Sequence, residues 1–379
     1  MEDINFYRVE DYRRELLSPV IEKIFSRRKL DSRLSEGDLV LLKINLLRGA
    51  EPGEAVTTHP ELVSTVAEAV SRCGAEVKVA DSPGGPFKSP ILHRHYKKSG
   101  FVDKEEVESF ELNYDTSSSR LKVPEGKRTK SLNICEFARE ADFIINLPKL
   151  KTHGLTEYTG AVKNMFGIIP GMEKAEYHLK FPDAVNMSHL FLDIYQVLEP
   201  GLNIVDGILG MEGEGPGSGT PRRFEVIMAA RDGIRLDLAI SHLLQGDGFL
   251  NSPLFTACRE REMEFSPTEL DYPEWLQDKF AGIKIPENNN SRLVLSESWP
   301  DIAHKIVDSL LRPRPVFSEE RCIGCGVCRE NCPVEVIELE DGIARVDLSG
   351  CIRCFCCQEL CPHEAVKIDR PLPGRILFG

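Results

Sequence analysis

The sequence predicts an α/β protein: an open parallel-sheet domain over residues 1–312, followed by a small α+β domain over 316–370. Three observations carry this expectation. Before about residue 300, apolar runs of strand length alternate with amphipathic runs of helix length, the pattern of successive β-α-β units. Several of the apolar runs end in polar or charged residues, as buried parallel strands do where they reach the open edge of a sheet. The composition then changes, and nine of the 12 cysteines fall between Cys322 and Cys361 in two equivalent runs.

The elements follow in order. Asp38 to Asn45 reads as a buried strand with Lys43 and Asn45 at its carboxyl end. Pro60 to Cys73 is an amphipathic helix with Thr58 as N-cap and Gly74 as its stop. Ala75 to Ala80 is the next strand, followed by the turn-rich Asp81-Ser82-Pro83-Gly84-Gly85. Two strands joined through one helix are expected to pair in parallel with a right-handed crossover. The pattern recurs with Ala141 to Asn146, a strand leading into Leu147-Pro148-Lys149. His189 to Leu198 reads as a helix, Leu202 to Val205 as a strand ending at Asp206-Gly207, Phe224 to Ala229 as a strand, and Gly233 to Leu244 as a helix. Pro286 to Ser291 reads as a loop and Trp299 to Leu311 as a helix. The stretch from about 246 to 300 carries no functional signal. Arg312-Pro313-Arg314-Pro315 marks the boundary, because two prolines stop a helix and stiffen a connection. Beyond it, Val336–Leu339 and Ile343–Val346 flank Asp341-Gly342 as a hairpin.

Each cysteine run has the form C-x2-C-x2-C-x3-C-P: Cys322, Cys325, Cys328, Cys332 with Pro333, then Cys351, Cys354, Cys357, Cys361 with Pro362. This is the spacing of bacterial two-cluster ferredoxins, in which three thiolates hold one iron–sulfur cube and the fourth ligates the other. Two 4Fe-4S clusters are therefore expected, one on Cys322, Cys325, Cys328 and Cys361, the other on Cys351, Cys354, Cys357 and Cys332. A zinc site needs only four ligands in spaced pairs, and a disulfide framework belongs to small secreted domains. Cys356 lies inside the second run without matching the ligand spacing; packing against a cube is its expected role, with a redox-sensitive thiol as the alternative. Cys73, Cys135 and Cys258 are scattered and read as buried structural thiols.

The formal net charge of −13, with no extended basic tract, argues against nucleic-acid and anionic-membrane partners. No apolar stretch reaches the length of a membrane span, and the polar N-terminus has no signal-like apolar core. A cytoplasmic protein is expected, in a compartment that keeps thiols reduced.

In the first domain, Lys149, Lys151, His153, Lys163 and Asn164 lie close together in an otherwise acidic chain. Lysine supplies charge and three donors; His153 and Asn164 add directed hydrogen bonds. Gly160 and Gly167 bracket a segment whose backbone N–H groups are placed to meet an anion. With Lys43 and Asn45, the group fits a carboxylate- or phosphate-bearing small molecule beyond the strand ends. Lys149, His153 and Asp206 are the candidate catalytic residues; Lys43, Asn45, Lys151, Lys163 and Asn164 are the candidate binding residues. Asp206, Glu212 and Glu214 accompany a glycine-rich loop, Gly213 to Gly219, that lacks the lysine and hydroxyl of a phosphate-binding loop. Its carboxylates suit either a divalent cation or a plain surface loop. No dinucleotide fingerprint follows a strand, and His93, His95, His178 and His189 form no metal-ligand pattern.

The runs VLLKINLL and TTHPELVSTVAEAVSRCGAEVKVADSPGG, with NLPKLKTHGLTEYTGAVKNMFGIIPG and IVDGILGMEGEGPGSGTP, resemble the family known as domain of unknown function 362 over about residues 35–245. Members often carry a C-terminal two-cluster ferredoxin module with a C-x2-C-x-C-C arrangement like that of Cys351 to Cys357. The resemblance implies this architecture and a redox context, and supplies no reaction.

Two readings of function result. In the first, the chain is an electron-transfer oxidoreductase that takes electrons from a low-potential partner and acts on an anionic small molecule in the α/β domain. In the second, it is an electron carrier or adaptor whose lysine group is a docking patch for a partner enzyme or a sensor of a metabolite.

Overall fold

The structure, a computed structural model, describes residues 4–105, 109–154, 156–263, 272–286 and 313–369. A nine-stranded sheet forms its centre. The strands are β1 (Asn5–Arg8), β2 (Leu39–Ile44), β3 (Glu76–Ala80), β4 (Glu111–Leu112), β7 (Phe143–Leu147), β8 (Lys149–His153), β9 (Glu157–Thr159), β10 (Leu202–Glu212) and β11 (Thr220–Ala230). β5 (Ser118–Lys122) and β6 (Ser131–Cys135) form a separate ribbon. The order is β1-β11-β10-β7-β2-β3-β4, with β8 joined to β10 and β9.

The expected parallel sheet forms the middle: β3 and β7 flank β2 in parallel, and β4 and β10 extend it in the same sense. Two antiparallel additions, β11 with β1 and the β8–β9 pair, make the whole sheet mixed. Five of the six residues of β2 are buried, as a strand covered on both faces requires. Val40, Leu42 and Ile44 point into one core with the helices Arg14–Arg28 and Pro60–Ser71. Leu41 points into the other, with Leu190 and Leu238 from the helices Ala184–Leu198 and Gly233–Gln245. Side chains alternate across a strand, so this one run supplies two cores.

Three local expectations change. Thr58 does not cap the helix Pro60–Ser71. His59 does, its Nδ1 accepting from Glu61 N at 3.2 Å, while Thr58 Oγ1 accepts from Asn45 N at 2.8 Å and donates to Leu147 O at 2.6 Å. Thr58 therefore ties two strand ends together. The helix expected from His189 begins at Ala184, where the Asp183 carboxylate accepts from Asn186 N at 2.8 Å. β10 runs through Asp206-Gly207 to Glu212, well beyond the expected end at Val205.

The cysteine-rich module has two hairpin-like pairs, β12 (Arg314–Phe317) with β15 (Val366–Asp369) and β13 (Ile337–Glu340) with β14 (Ile343–Val346). The turn between β13 and β14 is the expected Asp341-Gly342, with φ of 50° and 77°, the double positive-φ geometry that twists with its strands. The helix expected over Trp299–Leu311 and the loop from 287 to 291 lie outside the described residues. Among the described residues, no helix is long and apolar enough to cross a membrane.

Candidate site between the sheet edge and the cysteine-rich module

The parallel strands deliver their carboxyl ends to one edge, and the side chains there form three separate groups. The first is Lys43 with Asp81. Lys43 is fully buried at the end of β2, and its Nζ lies 2.9 Å from Asp81 Oδ1 and donates to Ile44 O at 2.8 Å. Burial lowers the lysine pKa and raises that of the aspartate, and their mutual attraction opposes both shifts. A Cβ on Gly167 would fall 2.1 Å from Asp81 Oδ1 and 2.7 Å from Lys43 Nζ, so the glycine is there to admit the pair.

The second group is Lys149 with Asp206, both fully buried and 2.8 Å apart. The other Asp206 oxygen accepts from Tyr12 OH at 2.7 Å, and His59 N donates to Asp206 Oδ2 at 2.9 Å. Tyr12 stacks on the His59 ring at 3.6 Å. Every charged atom in this group is satisfied within the fold, and neither Lys149 nor Asp206 lines the cavity described below.

The third group begins at Lys151, whose Nζ donates to Asn45 Oδ1 at 2.7 Å and Val56 O at 2.8 Å. Asn45 Nδ2 donates to Asn164 Oδ1 at 2.9 Å, Asn164 Nδ2 to Asn146 Oδ1 at 2.8 Å, and Asn146 Nδ2 to Asn203 Oδ1 at 2.9 Å. Four amides thus run in series from the sheet edge into the core. Lys151 has only neutral acceptors, and burial, with Lys163 and Lys149 nearby, holds its pKa well below the ordinary lysine value.

Lys149, Lys151 and His153 share one face of β8, as a period of two demands. The face leads from the closed ion pair to the cysteine-rich module. There His153 Nε2 lies 3.2 Å from Glu359 Oε1. His153 Nδ1 accepts from Thr156 N at 3.3 Å, which leaves Nε2 as the N–H that faces the carboxylate. Burial first, and then the Lys163 charge, hold the His153 imidazole neutral, with a pKa down to about 4. Burial by itself raises the Glu359 pKa, but the His153 contact and the Lys163 charge outweigh it and bring it to about 2.

Around Glu359 lies a cavity whose walls come from both halves of the chain. Asn45, Asp81, Thr159, Lys163, Asn164, Lys174 and His178 line one side; Asn331, Cys356, Glu359 and Leu360 line the other. Of the expected binding residues, Asn45, Lys163 and Asn164 reach it, while Lys43 and Lys151 stand one layer behind. Thr159 and His178 also line it. His178 reads in the sequence as an ordinary histidine, and nothing there ties it to Glu359.

Three expectations are corrected here. The segment between Gly160 and Gly167 offers no backbone N–H groups to a ligand from its helix start, because the Asp237 carboxylate accepts from Ala161 N at 2.7 Å and Val162 N at 2.8 Å. The glycine-rich loop is no cation site. Glu212 pairs with Arg222 at 2.8 Å, and Asp206 is enclosed with Lys149. Instead the loop receives the module: Gln358 Nε2 donates to Glu214 O at 3.1 Å, and a Cβ on Gly217 would fall 2.6 Å from Glu359 O. Finally, Lys149 and Lys151 are 0% and 1% exposed, so they form no docking patch for a partner protein.

In the module, Cys322, Cys325, Cys328 and Cys361 line one cavity. Cys322, Cys325 and Cys361 are charge neighbours of Cys328, and Cys354, Cys351, Cys328 and Cys332 are charge neighbours of Cys357. Ala344 N donates to Cys322 Sγ at 3.4 Å and Ala365 N to Cys361 Sγ at 3.3 Å, the kind of N–H···S contact that favours a thiolate. None of the twelve cysteines is disulfide-bonded. This donor set fits a pair of iron–sulfur cubes.

Fold and thiols together define an iron–sulfur protein with an α/β partner domain, and residues 314–362 match the family model of a 4Fe-4S dicluster domain. Residues 40–242 match the model of the domain of unknown function DUF362, and the chain belongs to that family. It is 34% identical over 242 residues to the thylakoid-associated protein sll1697 of Synechocystis sp., a match covering 62% of this chain and 72% of that protein. Among solved structures, it is similar to the lactate racemase apoprotein from Thermoanaerobacterium thermosaccharolyticum, at 12% identity and a TM-score of 0.39. That match covers 61% of this chain and 55% of the racemase chain.

Proposed function

We propose that this protein is an oxidoreductase that passes electrons through its C-terminal module into the cavity at the sheet edge, where a small anionic molecule is reduced. One observation carries the reading: the cavity is walled by both halves, and Cys356, between Cys354 and Cys357, is part of its wall. One cube is assigned to Cys322, Cys325, Cys328 and Cys361, and the other to Cys351, Cys354, Cys357 and Cys332, in agreement with the thiol neighbourhoods. When bound, two such cubes supply one electron each, so one substrate molecule takes up two electrons and two protons.

The direction of flow has structural support. No residue from Cys351 to Cys361 is exposed, because that loop is pressed into the α/β domain. In the first loop Cys325 is exposed and Ile323 is 66% exposed. A low-potential one-electron donor protein reaches the first loop, and the second delivers to the cavity. Lys163 attracts the substrate charge, the neutral His178 imidazole offers an N–H hydrogen bond, and the two protons come from solvent. Reduced clusters and twelve unbridged thiols suit the cytoplasm.

The test is anaerobic titration of the purified protein with a strong reductant, followed by iron analysis and EPR. About eight irons and two interacting S = 1/2 signals are expected. Small anionic metabolites are then added to the reduced protein. Reoxidation by one of them that is lost in Lys163→Met supports the reading; full reduction with no response to any of them rejects it.

A further inference from the structure

The cavity's polar groups are mostly committed within the protein. Asn45 and Asn164 bond to each other and to Lys151 and Asn146. Ser82 Oγ accepts from Gly171 N at 2.8 Å and from Lys174 Nζ at 3.1 Å, and Lys174 also donates to Ile169 O at 2.7 Å. Asp81 is held by Lys43 and by Leu46 N, and Gly84 N donates to Leu47 O. Three lining groups remain. Lys163 Nζ makes no hydrogen bond or ion pair among the described residues and rests 5.7 Å above the Phe191 ring. The His178 ring, 8% exposed, touches Phe166 edge-on and has no hydrogen-bond partner among the described residues. Thr159 is 3% exposed, and its buried Oγ1 has no partner. A buried hydroxyl without a partner is costly, and a ligand that bonds to it removes the cost.

These three groups also select among anions. Phosphates are commonly held by helix N-termini and by nests of backbone N–H groups. Here the adjacent helix start is filled by Asp237, and the N–H groups of Gly84 and Gly171 are committed to the protein. One ammonium, one imidazole N–H and one hydroxyl match the two oxygens and single charge of a carboxylate. Glu359 on the facing wall repels a second negative charge.

We propose that the ligand of this cavity is a small monocarboxylate whose oxygens are held by Lys163 Nζ, Thr159 Oγ1 and the His178 ring, with its remaining carbons toward Cys356. The proposal rests on the reading of the cavity as the substrate site.

The experiment is calorimetric titration of the oxidised, cluster-loaded, full-length protein with acetate, crotonate, inorganic phosphate and acetamide. The carboxylates bind saturably; phosphate binds at least about tenfold more weakly, and uncharged acetamide gives no binding heat. Lys163→Met weakens carboxylate binding by about tenfold or more and Thr159→Val by several-fold, in proteins whose cluster absorbance and circular dichroism match the parent. Acetate shifts the His178 imidazole resonances. Absence of carboxylate binding by the loaded protein, tighter binding of phosphate, or unchanged affinity in both variants overturns the proposal. Saturable carboxylate binding without reoxidation of the reduced clusters by any carboxylate rejects the redox reading and leaves this one standing. Reoxidation by an uncharged compound does the reverse.

Discussion

Glu359 and Lys149 show how differently two buried charges can be used. Lys149 has a complete set of partners in Asp206 and Tyr12, so it serves the fold. Removing it leaves Asp206 as an uncompensated charge in the core. Lys149→Met is expected to lower stability by about 3 kcal/mol in urea denaturation, and Lys149→Met with Asp206→Leu to recover part of the loss. Glu359 has one neutral N–H donor and a lysine held at a distance, so part of its field acts on the cavity. Histidine burial sets the acid response. Burial, with Arg94, Arg48 and Lys98 nearby, depresses the His95 pKa to about 4. Above the unfolded value of about 6.5 the ring is neutral in both states and its contribution to stability is complete. As the pH falls from about 6.5 towards 4, the unfolded chain takes up the proton first and stability is lost. His95→Gln should reduce the stability difference between pH 7.5 and pH 5 by about 1 kcal/mol, read from urea midpoints at the two pH values.

At the scale of elements, the strap from Gly213 to Gly219 does the joining. It lies between β8 and the module, and the approach of Gly217 to the Glu359 carbonyl leaves no room for a side chain. Gly217→Val should therefore loosen the contact without unfolding the sheet. Amide exchange over residues 351–361 is expected to rise by at least about tenfold while that of β2 and β7 stays unchanged, measured by mass spectrometry. Unchanged exchange in the module would mean that the strap does not hold it. The strands and the Asp341-Gly342 turn were legible because apolar runs and turn residues are local signals. The cysteine spacing was legible because a cube imposes a short-range pattern. The strap's purpose was not: glycines among carboxylates suggest a cation loop, and only the packing partner, 142 residues away for Gly217 and Glu359 (359 − 217), reveals a seat for another element. Lys149 and Asp206 looked like chemistry for a related reason. A strand-end charge is equally compatible with a ligand and with an ion pair, and the sequence does not say which partner lies opposite.

Across the whole molecule, the two cysteine runs are repeats in sequence but have opposite surroundings. Around the exposed run, Glu320 and Glu330 are exposed with Arg329 beside them, while Arg321 and Arg345 are paired with Glu364 and Glu319. With a net charge of −13 behind it, this face favours a basic carrier. Electron exchange with a basic one-electron carrier protein should slow several-fold between about 0.05 and 0.3 M salt, and exchange with a small neutral mediator should not, as stopped-flow absorbance would show. The buried run has a different consequence. Cys356 and Glu359, which complete the cavity, stand between cysteines assigned to the cubes, so if the cavity holds the proposed carboxylate, its grip depends on iron loading. Loading with iron and affinity for the ligand are then thermodynamically linked, each raising the other by the same factor. A cell short of iron is then expected to hold a chain with a weakened grip on the proposed ligand.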